Sequence, residues 1–522
     1  MKSIATLLLI LSFFFIPDVV VAQKYVDTYI LDSLVSENSF LAKKPNTSST
    51  PVYENIKVKL PEPIWPARKD VISCYWKAWQ LAFLNVHSVT AENGFLEPYI
   101  DPAFNKHIFM WDTSFMVLFG RYGHRAFNFQ ASLDNLYHKQ HKDGFICREI
   151  STLDGNELFE RFDSSSTGPN IMPWAEWEYF LNFDDKVRLQ KVFAPLLAYY
   201  RWFRTNRSWP DGSYFSTGWG CGMDNQPRVP QGFNNEFSHA FMSWIDTSLQ
   251  EVFAGKILIA MARKLGREKE VIDIETETDQ LTHHINTRMW DETTSYYYDR
   301  FRDGSLSDVK SIASFWALLA EVVPSNKLDK FIGHLENPRE FARLHRVPTL
   351  SADHPVFTPG GNYWQGGVWA PTSYMVLRGL TKYKRDSLAY EIAYNHLDNV
   401  VKVYNQTGTL WENYAPDRVE GKYQKDLVGW TGLVPISVLF EYVFGIRPNV
   451  PENMIVWDVR LTDEFGLKKY PFKAKGLINF WAAKRKKNTD EPRIKVESNI
   501  AFDLKLIWTG GTRVIHVKPI RS

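Results

Sequence analysis

Apolar residues recur at helical spacing through most of the chain between residues 66 and 446. Several stretches carry them at positions i, i+3 and i+4, which places the side chains on one face of an amphipathic helix. This pattern predicts helices over 186–206, 248–266, 312–323, 370–383 and 387–408. The last of these ends at Gly408, and glycine is the usual residue at a helix C-terminus. The sequence therefore predicts a mainly helical domain over 66–446.

The pattern changes after residue 450, where apolar and polar residues alternate with the period of two that is typical of strands. The alternation is clearest over 454–461, 493–508 and 512–520. It predicts a small β-sandwich-like domain over 450–522, with a role either in covering the helical domain or in binding carbohydrate. Residues 23–65 are polar and contain proline without a sustained period, which predicts an extended N-terminal arm.

Residues 1–22 have the pattern of a secretory signal peptide. Lys2 precedes an apolar run of about a dozen residues, and Val20-Val21-Ala22 is a suitable cleavage site. Pro17 and Asp18 break the run, which argues against a membrane anchor, and no later segment has the length of a membrane span. We therefore expect an exported protein, periplasmic or released to the medium.

Composition narrows the class of partner. The formal net charge is only +2, whereas nucleic-acid binding needs a clustered basic excess. Aromatic residues make up 15% of the chain, and many of the 19 tryptophans stand beside Gly, Asp, Asn or Pro. Most of them are expected in the core, but aromatic rings in polar loops also suit the C–H faces of sugars. The sequence leaves the oligomeric state open.

The three cysteines, Cys74, Cys147 and Cys221, indicate neither a disulfide framework nor a zinc site, because they are odd in number and lack CxxC spacing. Cys221 could be taken for a nucleophile, but nothing in the sequence ties it to a histidine. We expect it to be a packed thiol, and we expect no metal or organic cofactor.

Four stretches combine an aromatic residue, a hydrogen-bonding group and a turn former, and each is interpreted as a loop. Functional residues concentrate on such loops. The stretches are "FMWDTSF" (109–115), "STGWGCGMDNQPRVP" (216–230), "GNYWQGGVWAPTSY" (361–374) and "GTLWENYAPD" (408–417).

Two carboxylates in these stretches suit acid–base chemistry. Asp224 stands among Gly, Trp, Cys, Met and Pro, and apolar surroundings raise a carboxyl pKa and favour a proton donor. Glu412, beside Trp411, Asn413 and Tyr414, is expected in a more solvated setting that keeps it ionised. Cleavage of a glycosidic bond needs such a pair. Taken alone, however, each residue is more often a turn or cap residue, so a sugar-binding protein without turnover remains open at this point.

In these motifs the chain resembles the inverting glycosidases with an (α/α)6 barrel, namely glycoside hydrolase family 63, the trehalases, and the mannosylglycerate and glucosylglycerate hydrolases. The resemblance covers roughly residues 70–445 and is carried by four elements in the same order. Weaker similarities are "DGFICRE" (143–149), "WIDTSLQ" (244–250), "MWDETTSYYYDR" (289–300) and "GWTGLVPISVLFE" (429–441). The four elements are Trp111-Asp112, the run Cys221-Gly222-Met223-Asp224-Asn225-Gln226-Pro227-Arg228, the run Trp364-Gln365-Gly366-Gly367-Val368-Trp369, and Glu412-Asn413-Tyr414.

The resemblance implies a mainly α, (α/α)6 toroid and a secreted, exo-acting inverting α-glycosidase, α-glucosidase-like, that acts on an oligosaccharide or a small glycoside. Asp224 would be the general acid and Glu412 the general base, with their carboxyls about 6.5–9.5 Å apart to admit a water. Alternatives are a trehalase, a carbohydrate-binding protein without activity, and a polysaccharide lyase. Substrate-binding roles are implied for Trp111, Asp112, Trp219, Arg228, Trp364, Gln365, Trp369 and Tyr414.

Gln365 departs from the family pattern, which has arginine at this position. The change removes a fixed charge and a forked hydrogen-bond donor. It leaves the proposed acid and base in place but opens the question of which sugar is cleaved.

Overall fold

The computed structural model describes residues 31–520, so the predicted signal peptide and the first part of the predicted arm lie outside the described residues. Helices dominate as far as residue 443, and strands dominate from there on. The α-helices of this region are α1 (Tyr53–Ile56), α2 (Lys69–Leu84), α3 (Met110–Gly120), α4 (Asp134–His138), α5 (Met172–Phe183), α6 (Lys186–Arg207), α7 (Gly218–Cys221), α8 (Ile245–Leu265), α9 (Ile272–Arg288), α10 (Trp316–Leu319), α11 (Ser325–Gly333), α12 (Ala370–Lys382) and α13 (Asp386–Thr407).

Four of the five predicted helices are confirmed as α6, α8, α12 and α13. Helices α8 and α13 each end at a glycine in the left-handed region, Gly266 at φ 71° and Gly408 at φ 73°, where glycine is favoured because it has no Cβ. The prediction of one helix over 312–323 is wrong. That stretch forms a 3-10 turn, Ile312–Phe315, and the short α10.

Six helical segments make a closed series of contacts inside the helical region. They are α3, α5, α8, α10, α12 and the π-helical segment Val434–Val443. Each packs against the next, and Val434–Val443 contacts α12 on one side and α3 on the other. Every residue of α3 and of Val434–Val443 is buried, so both segments lie in the core of the helical region. Helices α6, α9, α13 and α2 pack outside this series.

The strands of the described residues are β1 (Glu62–Ile64), β2 (Val86–His87), β3 (Tyr99–Ile100), β4 (His107–Phe109), β5 (Glu149–Ser151), β6 (Trp290–Asp291), β7 (Tyr296–Tyr297), β8 (Trp411–Tyr414), β9 (Gly421–Lys425), β10 (Ile446–Asn449), β11 (Met454–Asp458), β12 (Phe465–Phe472), β13 (Gly476–Ala482), β14 (Ile494–Ser498), β15 (Phe502–Trp508) and β16 (Gly511–Val517). The predicted C-terminal strands are confirmed as β11, β14, β15 and β16. Strands β12 and β13 also form there.

The C-terminal strands form two four-stranded sheets, ordered β1-β12-β13-β14 and β10-β11-β15-β16, and β11 pairs with β15 in parallel. Trp457 of β11 joins them, because its ring contacts Phe465 and Phe480 of the other sheet. The N-terminal arm contributes to the same region. Its strand β1 pairs with β12, and the indole of Trp65 donates to Asp463 at 3.0 Å.

No helix within residues 31–520 has both the length and the apolar character needed to cross a membrane.

Candidate active site

A cavity of about 190 Å³ opens where the segments that lead into the inner helices meet. Its walls come from the segments that precede or begin α3, α5, α12 and Val434–Val443, from residues 219–224 in the connection before α8, and from Arg148 and Glu149. Pockets for drug-sized ligands span about 300–1,000 Å³, so this cavity suits a smaller ligand such as one sugar ring. The lining residues are Phe104, Asn105, Phe109, Trp111, Asp112, Arg148, Glu149, Gly168, Pro169, Trp219, Gly222, Asp224, Tyr363, Trp364 and Trp430.

Asp224 reaches the cavity from the acid loop, the name used here for residues 216–230. The loop begins with the single turn of α7 and leaves it at Gly222, whose φ of 75° favours glycine. A Cβ at Gly222 would lie 3.4 Å from the indole of Trp111. The backbone therefore passes close above Trp111 before it presents Asp224 to the cavity.

The surroundings of Asp224 raise the pKa of its carboxyl toward neutrality. Burial raises its pKa to about 6, and the negative charge of Glu236 acts in the same direction. The guanidinium of Arg148 and a hydrogen bond from Tyr363 oppose the rise. Asp224 therefore keeps its proton to a higher pH than an ordinary aspartate, as a general acid near neutral pH must.

Glu412 lies on strand β8, so the interpretation of this stretch as a loop is wrong. Strand β8 pairs with β9 in an irregular hairpin, and the hairpin fixes the carboxylate through the backbone N–H of Gln424, which donates to Oε2 at 3.2 Å. The hydroxyl of Tyr363 donates to Oε1 at 3.3 Å. Glu412 does not itself line the cavity. Its carboxylate is hydrogen-bonded to Tyr363, which does line it.

The expected solvated setting of Glu412 is also wrong. Only 5% of the residue is exposed, and burial raises its pKa to about 7. The negative charge of Asp224 raises the pKa further, while the two hydrogen bonds from Gln424 and Tyr363 lower it. Both carboxyls therefore have raised pKa values, and each lies within electrostatic range of the other.

Tyr363 is a central residue of the site that the sequence reasoning did not select. Its hydroxyl hydrogen-bonds to Glu412 and interacts with Asp224. Burial raises its pKa, and the charges of Asp224, Glu412 and Asp112 raise it further, so the phenol keeps its proton. Its φ of 58° is uncommon for a residue other than glycine, and such strain concentrates at functional sites. The sequence feature that could have identified Tyr363 is its position beside Trp364 in a turn-rich stretch.

Trp111 and Asp112 lie in the first turn of α3, so the loop predicted for this stretch is also wrong. Both side chains line the cavity. The indole N–H of Trp111 and Oδ1 of Asp112 are buried without a hydrogen-bond partner among residues 31–520. Buried polar atoms normally have partners, so these two atoms are available to a ligand. Burial, with Glu149 and Glu412 nearby, raises the pKa of Asp112 well above its usual range.

The stretch around Trp364 supplies one cavity wall and its support. Trp364 lines the cavity, and Trp369 stacks on it with ring centroids 3.7 Å apart and 7° between the planes. Trp369 and Gln365 do not line the cavity, although substrate contacts were expected of both. Gln365 instead donates to the carbonyl of Asn225 at 2.9 Å, which ties this stretch to the acid loop.

The structure places Arg228 in the core and not at the cavity, where it lends no support to the predicted substrate-binding role. Its guanidinium is buried and forms bidentate hydrogen bonds of 2.7–2.8 Å with both Asp246 and Asp299. It also lies 4.4 Å above the ring of Trp244. Arg228 is absent from the cavity lining, and these partners occupy its donors. Its position two residues before the end of the acid loop makes it a structural anchor for that loop.

Tyr414 is likewise a core residue rather than a cavity residue. It is 1% exposed, its ring centroid lies 5.8 Å from that of His345, and its hydroxyl accepts from the backbone N–H of Trp411 at 3.3 Å. Trp219, in contrast, does line the cavity, from the α7 turn of the acid loop.

Arg148 and Glu149 also line the cavity although sequence reasoning gave them no role. Glu149 begins β5 and Arg148 directly precedes it, at the end of the "DGFICRE" stretch. Their side chains form an ion pair at 3.0 Å, and His107 contacts the same carboxylate at 2.7 Å. Glu149 thus has a cationic partner in direct contact. Trp430, from the "GWTGLVPISVLFE" stretch, completes the aromatic lining.

The cysteines lie buried, and burial raises the pKa of the Cys221 thiol well above its usual range. Cys221 is therefore a packed thiol. No group of three or more His, Cys, Asp or Glu residues between 31 and 520 is arranged to hold a metal ion.

Comparison with known proteins identifies the family of this chain. A family model described as the mannosylglycerate hydrolase MGH1-like glycoside hydrolase domain matches residues 105–431. A probable mannosyl-oligosaccharide glucosidase of Schizosaccharomyces pombe is 24% identical over 286 residues, which cover 48% of this chain and 34% of the relative. Human trehalase is 23% identical over 193 residues, 34% of this chain and 32% of the relative. The chain thus spans about a third of the length of these two relatives.

Among solved structures, the family 63 mannosylglycerate hydrolase of Thermus thermophilus in complex with glucose superposes with a TM-score of 0.58. It is 18% identical and the match covers 70% of this chain and 99% of that one. At this identity the likeness concerns the fold.

Proposed function

This chain belongs to the mannosylglycerate hydrolase MGH1-like glycoside hydrolases and is an inverting glycosidase. We propose that it removes a terminal α-linked sugar from an oligosaccharide or a small glycoside. The observation that carries the proposal is the grouping of Asp224 and Glu412 around the hydroxyl of Tyr363 at an aromatic cavity. Two carboxyls with raised pKa values beside a one-sugar cavity meet the needs of single-displacement hydrolysis.

In the proposed reaction Asp224 protonates the departing glycosidic oxygen, and Glu412 removes a proton from the water that attacks the anomeric carbon. The C–O bond breaks as the new C–O bond forms on the opposite face, so the configuration inverts. Asp224 suits the acid because it lines the cavity itself. Glu412 suits the base because a carboxylate whose pKa is raised to about 7 accepts a proton readily near neutral pH, and the hydrogen bonds from Tyr363 and Gln424 hold it in place.

The remaining cavity residues would hold the sugar. Trp364 offers a ring face, supported from behind by Trp369. The free polar atoms of Trp111 and Asp112 would bond sugar hydroxyls. These contacts need no metal or organic cofactor.

We propose that the six inner segments form the inner ring of an (α/α)6 toroid, on the basis of their closed series of contacts. A toroid closed at one end leaves a pocket, and a pocket of this size fits action on the terminal sugar. Export of the protein rests on residues 1–22 alone and is a proposal of the same kind.

The test is hydrolysis of a panel of α-linked substrates by the purified protein. The panel contains trehalose, kojibiose, nigerose, glucosylglycerate, mannosylglycerate and mannose-linked gluco-oligosaccharides. Proton NMR follows the anomer that is released first. We expect the β-anomer from one member, and we expect Asp224→Asn and Glu412→Gln each to lower kcat by roughly 10² to 10⁴.

Retention of configuration, or activity that survives both substitutions, would contradict the proposal. A wild-type protein that binds a sugar without cleaving it, with Glu412→Gln binding it equally well, would favour the carbohydrate-binding alternative.

A further inference from the structure

A segment with three exposed aromatic rings follows the acid loop, and one of these rings, that of Phe237, contacts the cavity-lining Trp219. Residues 231–241 are named the rim segment here. Phe233, Phe237 and Phe241 of this segment are 42%, 50% and 49% exposed. Large apolar side chains exposed together next to a cavity are a common mark of a binding surface.

The rim segment is fixed to the acid loop by its backbone. The N–H of Gly218 donates to the carbonyl of Asn235 at 3.1 Å, and the N–H of Trp219 donates to the carbonyl of Glu236 at 3.0 Å. These bonds place Phe237 beside Trp219, with ring centroids 4.7 Å apart and 50° between the planes.

Trp219 connects this surface to the cavity. It lines the cavity, and its far side is supported by Phe159, whose ring centroid lies 5.9 Å away. The guanidinium of Arg148 lies 4.5 Å from the Phe159 ring and 5.5 Å from that of Trp219. Trp219 is therefore held in position, and Phe237 extends its aromatic surface outward into solvent.

The position of the general acid, Asp224, indicates which part of a substrate would contact this surface. A general acid must reach the oxygen of the leaving group, so the leaving group lies on the acid's side of the scissile bond. Asp224 stands five residues after Trp219 on the same loop. The cavity of about 190 Å³ holds the terminal sugar, and the leaving group must extend beyond the cavity on the side of Asp224.

We propose that Trp219 and Phe237 form a platform for the first sugar ring of the leaving group. The inference rests on the proposed glycosidase function and narrows it to substrates whose leaving group is itself a sugar. Aromatic faces stack on sugar rings through the C–H groups, and a small acyclic alcohol or acid offers no such face. The enzyme would then favour oligosaccharides over glycosides of small alcohols.

The test compares a substrate that reaches the platform with one that does not. The probes are the α-linked disaccharide or trisaccharide that the wild type cleaves best and the α-glycosyl fluoride of the same terminal sugar, whose leaving group is one atom. We expect Phe237→Ala to lower kcat/KM for the oligosaccharide about tenfold, mainly through KM, and to leave the fluoride unchanged. Phe237→Tyr keeps the ring and should keep the oligosaccharide activity.

Phe241→Ala is the matched control. Phe241 is as exposed as Phe237 and lies on the same segment, but its ring packs on His239 and Phe233. We expect it to leave both substrates unchanged. If Phe237→Ala lowered kcat/KM equally for both substrates, or for neither, the platform would be overturned. The glycosidase function would still stand. A wild type inactive on every oligosaccharide and fluoride would overturn both.

Discussion

The phenolic oxygen of Tyr363 lies 3.3 Å from Oε1 of Glu412, and the same hydroxyl interacts with Asp224. One hydroxyl has one proton and can donate it to one carboxylate at a time. Tyr363 therefore couples the two groups that the proposed reaction uses, and its unusual backbone conformation shows that the surrounding fold holds it there.

The first prediction concerns the pH dependence of the wild-type enzyme. The reaction needs one proton on the pair, and the pKa values are about 6 for Asp224 and about 7 for Glu412. Below these values both carboxyls are protonated and no base remains, and above them neither can donate. We expect a bell-shaped profile of kcat/KM with its maximum between about pH 6 and 7. A profile that stays flat from pH 5 to 9 would contradict this assignment.

The second prediction is that Tyr363→Phe shifts this profile to higher pH. The hydroxyl lowers the pKa of both carboxyls by hydrogen bonding, so its loss raises both. A hydrogen bond to a charged group is worth roughly 1.5–3 kcal/mol, which corresponds to a shift of about one to two pH units. The measurement is kcat/KM as a function of pH, and kcat at the new optimum should fall less than in Asp224→Asn.

Tyr423→Phe provides the control for this shift. Tyr423 contacts the ring of Tyr363 at 4.8 Å, but its hydroxyl donates to Asn362 rather than to a carboxyl of the pair. The variant should keep the wild-type pH optimum. An equal shift in both variants would mean that ring packing, and not the Tyr363 hydroxyl, sets the profile.

Helix α13 could be predicted from the sequence because its buried residues recur at helical spacing along one face. The contrast is with α3. Helix α3 is buried along its whole length, so no period marks it and the stretch around Trp111 was interpreted as a loop. Strand β8 is four residues long, which is too short for an alternation to be visible.

Within the site, residue types and motifs indicated the acid and the base, but they could not indicate the direction of a side chain. Arg228 belongs to the acid-loop motif, yet its partners Asp246 and Asp299 lie on other segments and turn it into the core. Tyr363 shows the converse, because its importance comes from the meeting of Asp224 and Glu412, which only the folded chain brings together.

The third prediction tests the structural role of Arg228. Arg228→Met leaves Asp246 and Asp299 buried without their counter-charge, and loss of one partner of a buried ion pair costs about 3–5 kcal/mol. Chemical denaturation should show a loss of this order. Arg263→Met is the control, because the Arg263–Glu275 pair is exposed and such pairs contribute at most about 1 kcal/mol. If Arg228→Met kept the wild-type stability but had a raised KM, the substrate-binding role of Arg228 would be supported instead.

The fourth prediction is that Glu412→Gln stabilises the protein at alkaline pH. The pKa of Glu412 rises from 4.5 to about 7 on folding, so the folded state binds the proton more tightly than the unfolded chain. The contribution of protonated Glu412 to the free energy of unfolding is fully present below pH 4.5 and is lost as the pH rises through about 7. At pH 8 the ionised carboxylate costs the wild type on the order of 3 kcal/mol, a cost that glutamine does not carry.

Denaturant unfolding of the wild type and Glu412→Gln at pH 5 and pH 8 measures this difference. We expect the variant to gain stability relative to the wild type between the two pH values, because only the wild type carries a buried charge at pH 8. The exposed Glu391→Gln variant controls for the loss of one carboxyl elsewhere on the molecule. If the difference between Glu412→Gln and the wild type were the same at both pH values, the raised pKa of Glu412 would be wrong. The general base would then be an ordinary ionised carboxylate, and the acidic limb of the pH profile would need another source.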